Sequence, residues 1–148
     1  MQTTLVLLKP DTVQRGLIGQ IVSRFENKGL KIVGMKLMTL SDEIVTEHYD
    51  FLADKPFFPG IKAYMTSAPV VALAISGTNV IKTVRNLTGA TNPAEALPGS
   101  IRGDFALTID ANIIHASDSE ETAAVELKRF FSEGEITSYE KISDKIVG

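Results

Sequence analysis

Val70-Val71-Ala72-Leu73-Ala74-Ile75-Ser76 is the stretch on which the fold turns. It is an unbroken apolar run rich in β-branched residues, too short for a helix, with Pro69 before it and Gly77-Thr78-Asn79 after it, so it reads as a buried strand. Working outward, residues 79–87 form a helix that Gly89 stops. Residues 61–67 give one or two helical turns ended before Pro69. Pro56-Phe57-Phe58-Pro59-Gly60 reads as irregular. Ser41-Asp42 caps a helix carrying Ile44, Val45, His48 and Leu52 on one side. Residues 31–40 read as a strand with imperfect alternation. Residues 3–8 form the first strand, ended by Pro10, with Asp11 or Thr12 as the next N-cap. Val13, Leu17, Ile21 and Phe25, with Ile18 and Val22 beside them, then make one helical stripe that Gly29 closes. Beyond the decisive strand, residues 90–103 form a long loop of the kind that carries function, with a helical turn at 100–105. Ile113-Ile114-His115 reads as a short strand, and residues 122–131 as a helix facing inward through Ala124, Leu127 and Phe131.

This order predicts a single domain over residues 1–148, of the α+β class. Its core is a ferredoxin-like βαββαβ unit, a four-stranded antiparallel sheet with helices packed on one face. A doubly wound parallel sheet is the rival, because strand direction does not show in the order alone.

Composition narrows the function. The chain has 148 residues and no cysteine, which excludes a disulfide scaffold, thiol catalysis and a thiolate metal site. With 15 basic and 18 acidic side chains the net charge is −3, which argues against a nucleic-acid-coating or polybasic membrane surface. Leu5-Val6-Leu7-Leu8 before Lys9 is too short for a signal-peptide core or a membrane span, so a cytoplasmic location is expected. Neither a phosphate-binding glycine-rich loop, a zinc-type histidine pair nor a nucleophilic serine elbow is present.

The two histidines therefore matter most. His115 ends a strand just before Ala116-Ser117-Asp118-Ser119-Glu120-Glu121, where Ser117 with Glu120, or Asp118 with Glu121, has capping-box spacing. A helix N-terminus beside the imidazole offers unpaired N–H groups to an arriving anion. His48, on the apolar side of its helix, reads as a structural histidine. Lys9 after the first strand, Arg85 on the helix before the long loop and Arg102 within that loop can converge at one end of the sheet. There side chains would hold phosphate without a glycine-rich loop. Phe57 lies in an irregular segment where an aromatic ring can anchor the loop or stack on a base.

These residues sit in motifs that resemble the nucleoside diphosphate kinase family. The motifs are Leu8-Lys9-Pro10-Asp11, then His48-Tyr49 with Lys55-Pro56-Phe57-Phe58-Pro59, Tyr64-Met65, Ser67, Pro69-Val70-Val71 and Thr91-Asn92-Pro93. The run continues with Gly99-Ser100-Ile101-Arg102-Gly103-Asp104-Phe105 and Asn112-Ile113-Ile114-His115-Ala116-Ser117-Asp118-Ser119, in register over residues 2–131. The resemblance implies that His115 takes the γ-phosphoryl group of a nucleoside triphosphate, mainly ATP, and passes it to a nucleoside diphosphate in a ping-pong exchange. It implies that Lys9, Phe57, Arg85, Thr91, Arg102 and Asn112 bind the nucleotide, with Lys9 and Asn112 toward the sugar and Arg85, Thr91 and Arg102 at the phosphates. Ile109 would lie against the base opposite Phe57. Glu126 would orient the His115 ring, with Tyr49 and Ser117 in support. Mg²⁺ would be held through the nucleotide phosphates rather than by the protein, and the chain would form a homo-oligomer, a tetramer or hexamer.

Imidazole chemistry agrees with that implication. A free imidazole with a pKa near ~6.5 is mostly neutral at pH 7 and attacks without a separate base. Two positions depart from the family pattern: Ala116 and Ala68 stand where glycine is usual, which would strain the backbone if either needs a positive φ. The tail, residues 133–148, departs further and bears on assembly. Two other classes remain to be weighed. A nucleic-acid binder on the same framework is disfavoured by the acidic balance and by the lack of an aromatic RNA-binding motif. A catalytically silent nucleotide-sensing module is disfavoured by intact His115, Lys9, Arg85 and Arg102.

Overall fold

The computed structural model describes residues 1–142. The single-domain reading and the reading of the tail both extend over residues 143–148, which lie outside the described residues. Four strands, β1 (Gln2–Leu8), β2 (Lys31–Met38), β3 (Val70–Gly77) and β4 (Ile114–Ala116), form one sheet in the order β2-β3-β1-β4. Every pairing is antiparallel, which removes the doubly wound rival.

All eight residues of β3 are buried, and this corrects the expected one-sided packing. An unalternating apolar strand is what a sheet covered on both faces produces. Val6, Leu8, Val71, Leu73 and Ile75 point to one face, against Ile21 and Phe25 of α2 (Ile18–Asn27) and Val80 and Val84 of α5 (Val80–Thr88). Leu5, Leu7, Ala72 and Ala74 point to the other. They meet Val45 of α3 (Asp42–His48), Met65 of α4 (Phe58–Met65) and Phe130 of α7 (Glu120–Phe130).

Local chemistry explains where the helices differ from expectation. The single stripe after β1 is two helices, α1 (Pro10–Gln14) and α2, because Gly16 adopts φ +70° and turns the chain between them. Lys9, not Asp11 or Thr12, takes the N-cap position, with Pro10 as the first helical residue. The proline-rich segment is less irregular than expected, since Pro59 falls in the first turn of α4, where a missing N–H costs nothing. Ser41 caps α3 as expected, accepting from Ile44 N. The cap of α7 is Ser119, accepting from Thr122 N, rather than Ser117 or Asp118. The buried stripe of α7 is Ala123, Glu126 and Phe130, and Ala124 faces solvent. Phe131 is buried just beyond the helix.

The long loop is more ordered than its composition suggests. It holds a short 3₁₀ turn, Pro93–Glu95, and ends in α6 (Ile101–Phe105), whose N-cap Ser100 accepts from Gly103 N. Arg24 of α2 braces it, donating to Gly99 O and pairing with Asp104 at 2.8 Å. Among the described residues, no helix is long and apolar enough to cross a membrane.

Candidate active site

Register places the key imidazole. His115 pairs with Leu7, so its side chain leaves the sheet on the same face as Leu7, toward α3 and α7. Just before it the chain makes a tight turn in which Ile114 N donates to Asn112 O at 2.8 Å, around Ile113 at φ +61°. This is a γ-turn, so the short strand begins at Ile114 and not at Ile113. A positive φ at a β-branched residue costs on the order of 1–3 kcal/mol. Lys9 N and Thr12 Oγ1 hold it in place, donating to Ile113 O at 2.8 and 2.7 Å.

Glu126 emerges from the buried stripe of α7 directly beneath the ring. His115 Nε2 lies 2.9 Å from Glu126 Oε1, and Ser117 Oγ donates to the same oxygen at 2.6 Å. Burial pushes the Glu126 carboxyl up, but the bonds from His115 and Ser117 and the two neighbouring imidazoles outweigh it and hold it below the usual range. A carboxylate only accepts, so Nε2 carries the proton and Nδ1 keeps its lone pair.

His48 is the buried, hydrogen-bonded histidine that its helix face implies, and it also packs against this site. Its ring meets the His115 ring edge-on, with centroids 4.6 Å apart at 86°. Burial first, then the charge of His115, with Arg129 and Lys9 adding and Glu126 opposing, lowers its pKa to about 3. It is neutral at any physiological pH.

A cleft of about 920 Å³ opens over these groups, with Lys9, Tyr49, Arg85, Thr91, Arg102, Asn112 and His115 on its wall. Arg102 is not a solvated loop charge. It is 4% exposed and donates to the carbonyls of Asn112, Gly89 and Ile114. Burial, then Arg85, brings its pKa down to about 10, so it stays charged. Arg85 donates to Ala116 O at 3.1 Å. Lys9 Nζ donates to Asn112 Oδ1 at 2.7 Å, and Asn112 Nδ2 to Thr91 O at 3.2 Å, which joins three expected residues in one chain of bonds. Burial, then Arg102, lowers the Lys9 pKa to about 8, with Asp11 opposing. Burial, then the Glu126 charge, raises Tyr49 to about 12, which keeps it a hydrogen-bond donor.

A second hollow, about 960 Å³, shares Lys9 and Tyr49 with the first. Phe57 and Ile109 line it, each 55% exposed, as large apolar groups left open for a flat ligand would be. The structure therefore brings the expected residues into two adjoining spaces, except Ser117, which is buried behind them and reaches the site through Glu126. Beside them lie His48, at the end of α3, and Arg129, one turn after Glu126 on α7; nothing in the sequence pattern points to the contact between these two. Ala116 and Ala68 are not among the residues at positive φ, so neither departure from glycine strains the backbone.

His48, His115 and Glu126 each place a ligand atom within 4.8 Å of the others. All three are already hydrogen-bonded, and two nitrogens with one carboxylate do not suit a hard, oxygen-seeking ion such as Mg²⁺.

Comparison with known proteins accords with this geometry. The model of the family described as nucleoside diphosphate kinase matches residues 2–136. A nucleoside diphosphate kinase of Methanocorpusculum labreanum is 55% identical over 144 residues, covering 97% of each chain. One from Parabacteroides distasonis is 56% identical over 140 residues, 95% of this chain and 92% of its own. The solved structure of a halophilic nucleoside diphosphate kinase from Halobacterium salinarum, in complex with CDP, matches with a TM-score of 0.96. It is 43% identical and covers 99% of this chain and 98% of that one.

Proposed function

The chain belongs to the nucleoside diphosphate kinase family and is a phosphotransferase of that kind, and from this premise we propose that its phosphoryl carrier is Nδ1 of His115. The observation that carries the reading is the 2.9 Å bond from Nε2 to Glu126, which leaves the other ring nitrogen free at a cleft lined by Lys9, Arg85 and Arg102.

In the first half-reaction the Nδ1 lone pair attacks the γ-phosphorus of a nucleoside triphosphate, mainly ATP. The bond to the bridging oxygen breaks and the diphosphate leaves. Nε2 keeps its proton, and the Glu126 carboxylate stabilises the charged ring. In the second half-reaction a terminal oxygen of another nucleoside diphosphate attacks the same phosphorus and regenerates neutral His115. No separate base is required. Arg85 and Arg102 neutralise phosphate charge, Thr91 donates its hydroxyl, and Lys9 with Asn112 holds the sugar end. Tyr49 supports the phosphorylated ring, and Ser117 fixes Glu126. Phe57 and Ile109 sandwich the base without reading its edges, so discrimination among nucleosides is weak.

Mg²⁺ fits as a nucleotide-borne ion. The described residues offer no oxygen cage for it, while the exposed carboxylates of Asp118 and Glu121 at the cleft suit a hydrated hard cation. When bound through the phosphates it neutralises charge that the arginines leave uncompensated. A single domain over 1–148, a cytoplasmic location and a homo-oligomer, tetramer or hexamer, complete the reading. Leu97 and Leu107, 77% and 86% exposed in and beyond the long loop, are the apolar surfaces an assembly would cover.

Initial rates test the mechanism. With ATP and a second nucleoside diphosphate varied together, double-reciprocal plots should be parallel and His115→Ala should lose turnover. Intersecting lines would mean direct transfer in a ternary complex and would overturn the carrier.

A further inference from the structure

Glu126 lies between two imidazoles, and only one of them is served. His115 Nε2 is 2.9 Å from Oε1, while His48 Nδ1 is 3.7 Å from Oε2, with His48 and Glu126 both almost fully buried. A modest rotation would let His48 donate to that carboxylate if Nδ1 carried its proton. It cannot do so, because Arg129 Nη1 lies 2.9 Å from the same nitrogen. A guanidinium only donates, so Nδ1 of His48 must be the acceptor and the proton must sit on Nε2. Arg129 is itself held in place, 12% exposed, with its Nε 3.6 Å from Glu47 Oε1 and otherwise unbonded.

We propose that Arg129 is a positioning residue for the reaction: by occupying Nδ1 of His48 it reserves the Glu126 carboxylate for His115. The proposal rests on His115 as the phosphoryl carrier. It explains why a second imidazole can pack 4.6 Å from the reacting ring without disturbing its tautomer. The groups facing His48 are His115, Glu126, Arg129 and Lys9 among the charged and titratable ones, with Tyr49 and Phe130 against its edges. Of these only Arg129 bonds to Nδ1. Without it, His48 is free to take the other tautomer, turn its N–H toward Oε2 and draw the carboxylate away from His115.

Three variants of the full chain test this: Arg129→Met, Arg129→Lys and His48→Phe. Arg129→Met should slow phosphorylation of His115 by ATP about tenfold, the scale of a lost charge-assisted hydrogen bond near ~1.4 kcal/mol. The KM for nucleotide should stay within about twofold, since no nucleotide contact is removed. Arg129→Lys, which still donates, should recover most of the rate. In the His48→Phe background the same Arg129→Met change should cost nothing further. Nitrogen-15 spectra of histidine-labelled protein supply a readout independent of turnover. His48 should be protonated at Nε2 in the wild type and shift toward Nδ1 in Arg129→Met.

An unchanged His48 tautomer in Arg129→Met overturns the proposal, and so does an equal loss of rate in the His48→Phe background. If no phosphohistidine forms on the wild type, the carrier reading fails instead, while the tautomer spectra still decide the role of Arg129.

Discussion

At the scale of single residues, the site separates two histidines by the partners their nitrogens find. His115 gives Nε2 to Glu126 and keeps the Nδ1 lone pair, whereas His48 is buried, neutral and hydrogen-bonded by a cation. This arrangement makes the fold acid-sensitive. The folded pKa of His48, about 3, lies below the ordinary 6.5, so between those values the unfolded chain binds a proton that the folded one refuses. Stability is therefore full above pH 6.5 and falls as the pH drops toward 3. Glu126 adds to the same trend at lower pH, because its folded pKa is also depressed and its contribution disappears as the carboxylate protonates. Calorimetric Tm values at pH 7.0 and 4.5 should differ more for the wild type than for His48→Phe, which lacks the first proton and keeps the second group. An equal drop in both proteins would remove His48 from this account.

At the scale of elements, close approach matters more than propensity. Gly103 sits in α6 next to Arg102, and a Cβ there would lie 2.0 Å from Leu97 O and 2.8 Å from Ser100 Oγ. Neither neighbour can yield easily, since Leu97 O also accepts from Ser100 N and Ser100 Oγ. Gly103→Ala should therefore cost about 1–3 kcal/mol, the usual range for overpacking, and loosen the three carbonyl contacts of Arg102. Gly19, in the exposed part of α2, would meet nothing within 4 Å. There the same change should raise stability by up to about 1 kcal/mol through helix propensity. Thermal melts of the two variants should move in opposite directions. A Gly103→Ala protein as stable as the wild type would show that α6 is not wedged as described.

The elements also show what the sequence made legible. Val70 to Ser76 could be read as a buried strand because its apolar run is unbroken, and the same fact, taken further, implies two covered faces. The break at Gly16 was hidden because Val13, Leu17 and Ile21 keep helical spacing across it. The inward face of α7 is only partly legible: Leu127 and Phe131 do pack on the core, but Ala124 faces solvent and the fully buried stripe contains a carboxylate. Ala123, Glu126 and Phe130 do not form an apolar row, whereas the neighbouring row through Leu127 does. Burial of Glu126 makes sense only beside His115 and Ser117, which approach from another element. The motifs resembling the family supplied Glu126 where periodicity could not. Neither periodicity nor motif pointed to Arg129 over His48, a contact between residues 81 positions apart.

At the scale of the whole molecule, the antiparallel sheet brings the ends of distant segments to one place. Lys9 follows β1, His48 ends α3, Arg85 lies on α5, Arg102 on α6, and His115 and Glu126 come from β4 and α7. A chain of net charge −3 thus gathers Lys9, Arg85 and Arg102 from three segments at one cleft beside His115. In the proposed mechanism this cluster serves a covalent phosphoryl carrier at Nδ1 of His115. The direct measurement is to incubate the protein with γ-labelled ATP and no acceptor, isolate it, and locate the label after digestion. The expected product is one acid-labile, base-stable phosphohistidine in the peptide containing His115, substituted at Nδ1 and discharged by a nucleoside diphosphate. Label on any other residue, on Nε2, or none at all would contradict it.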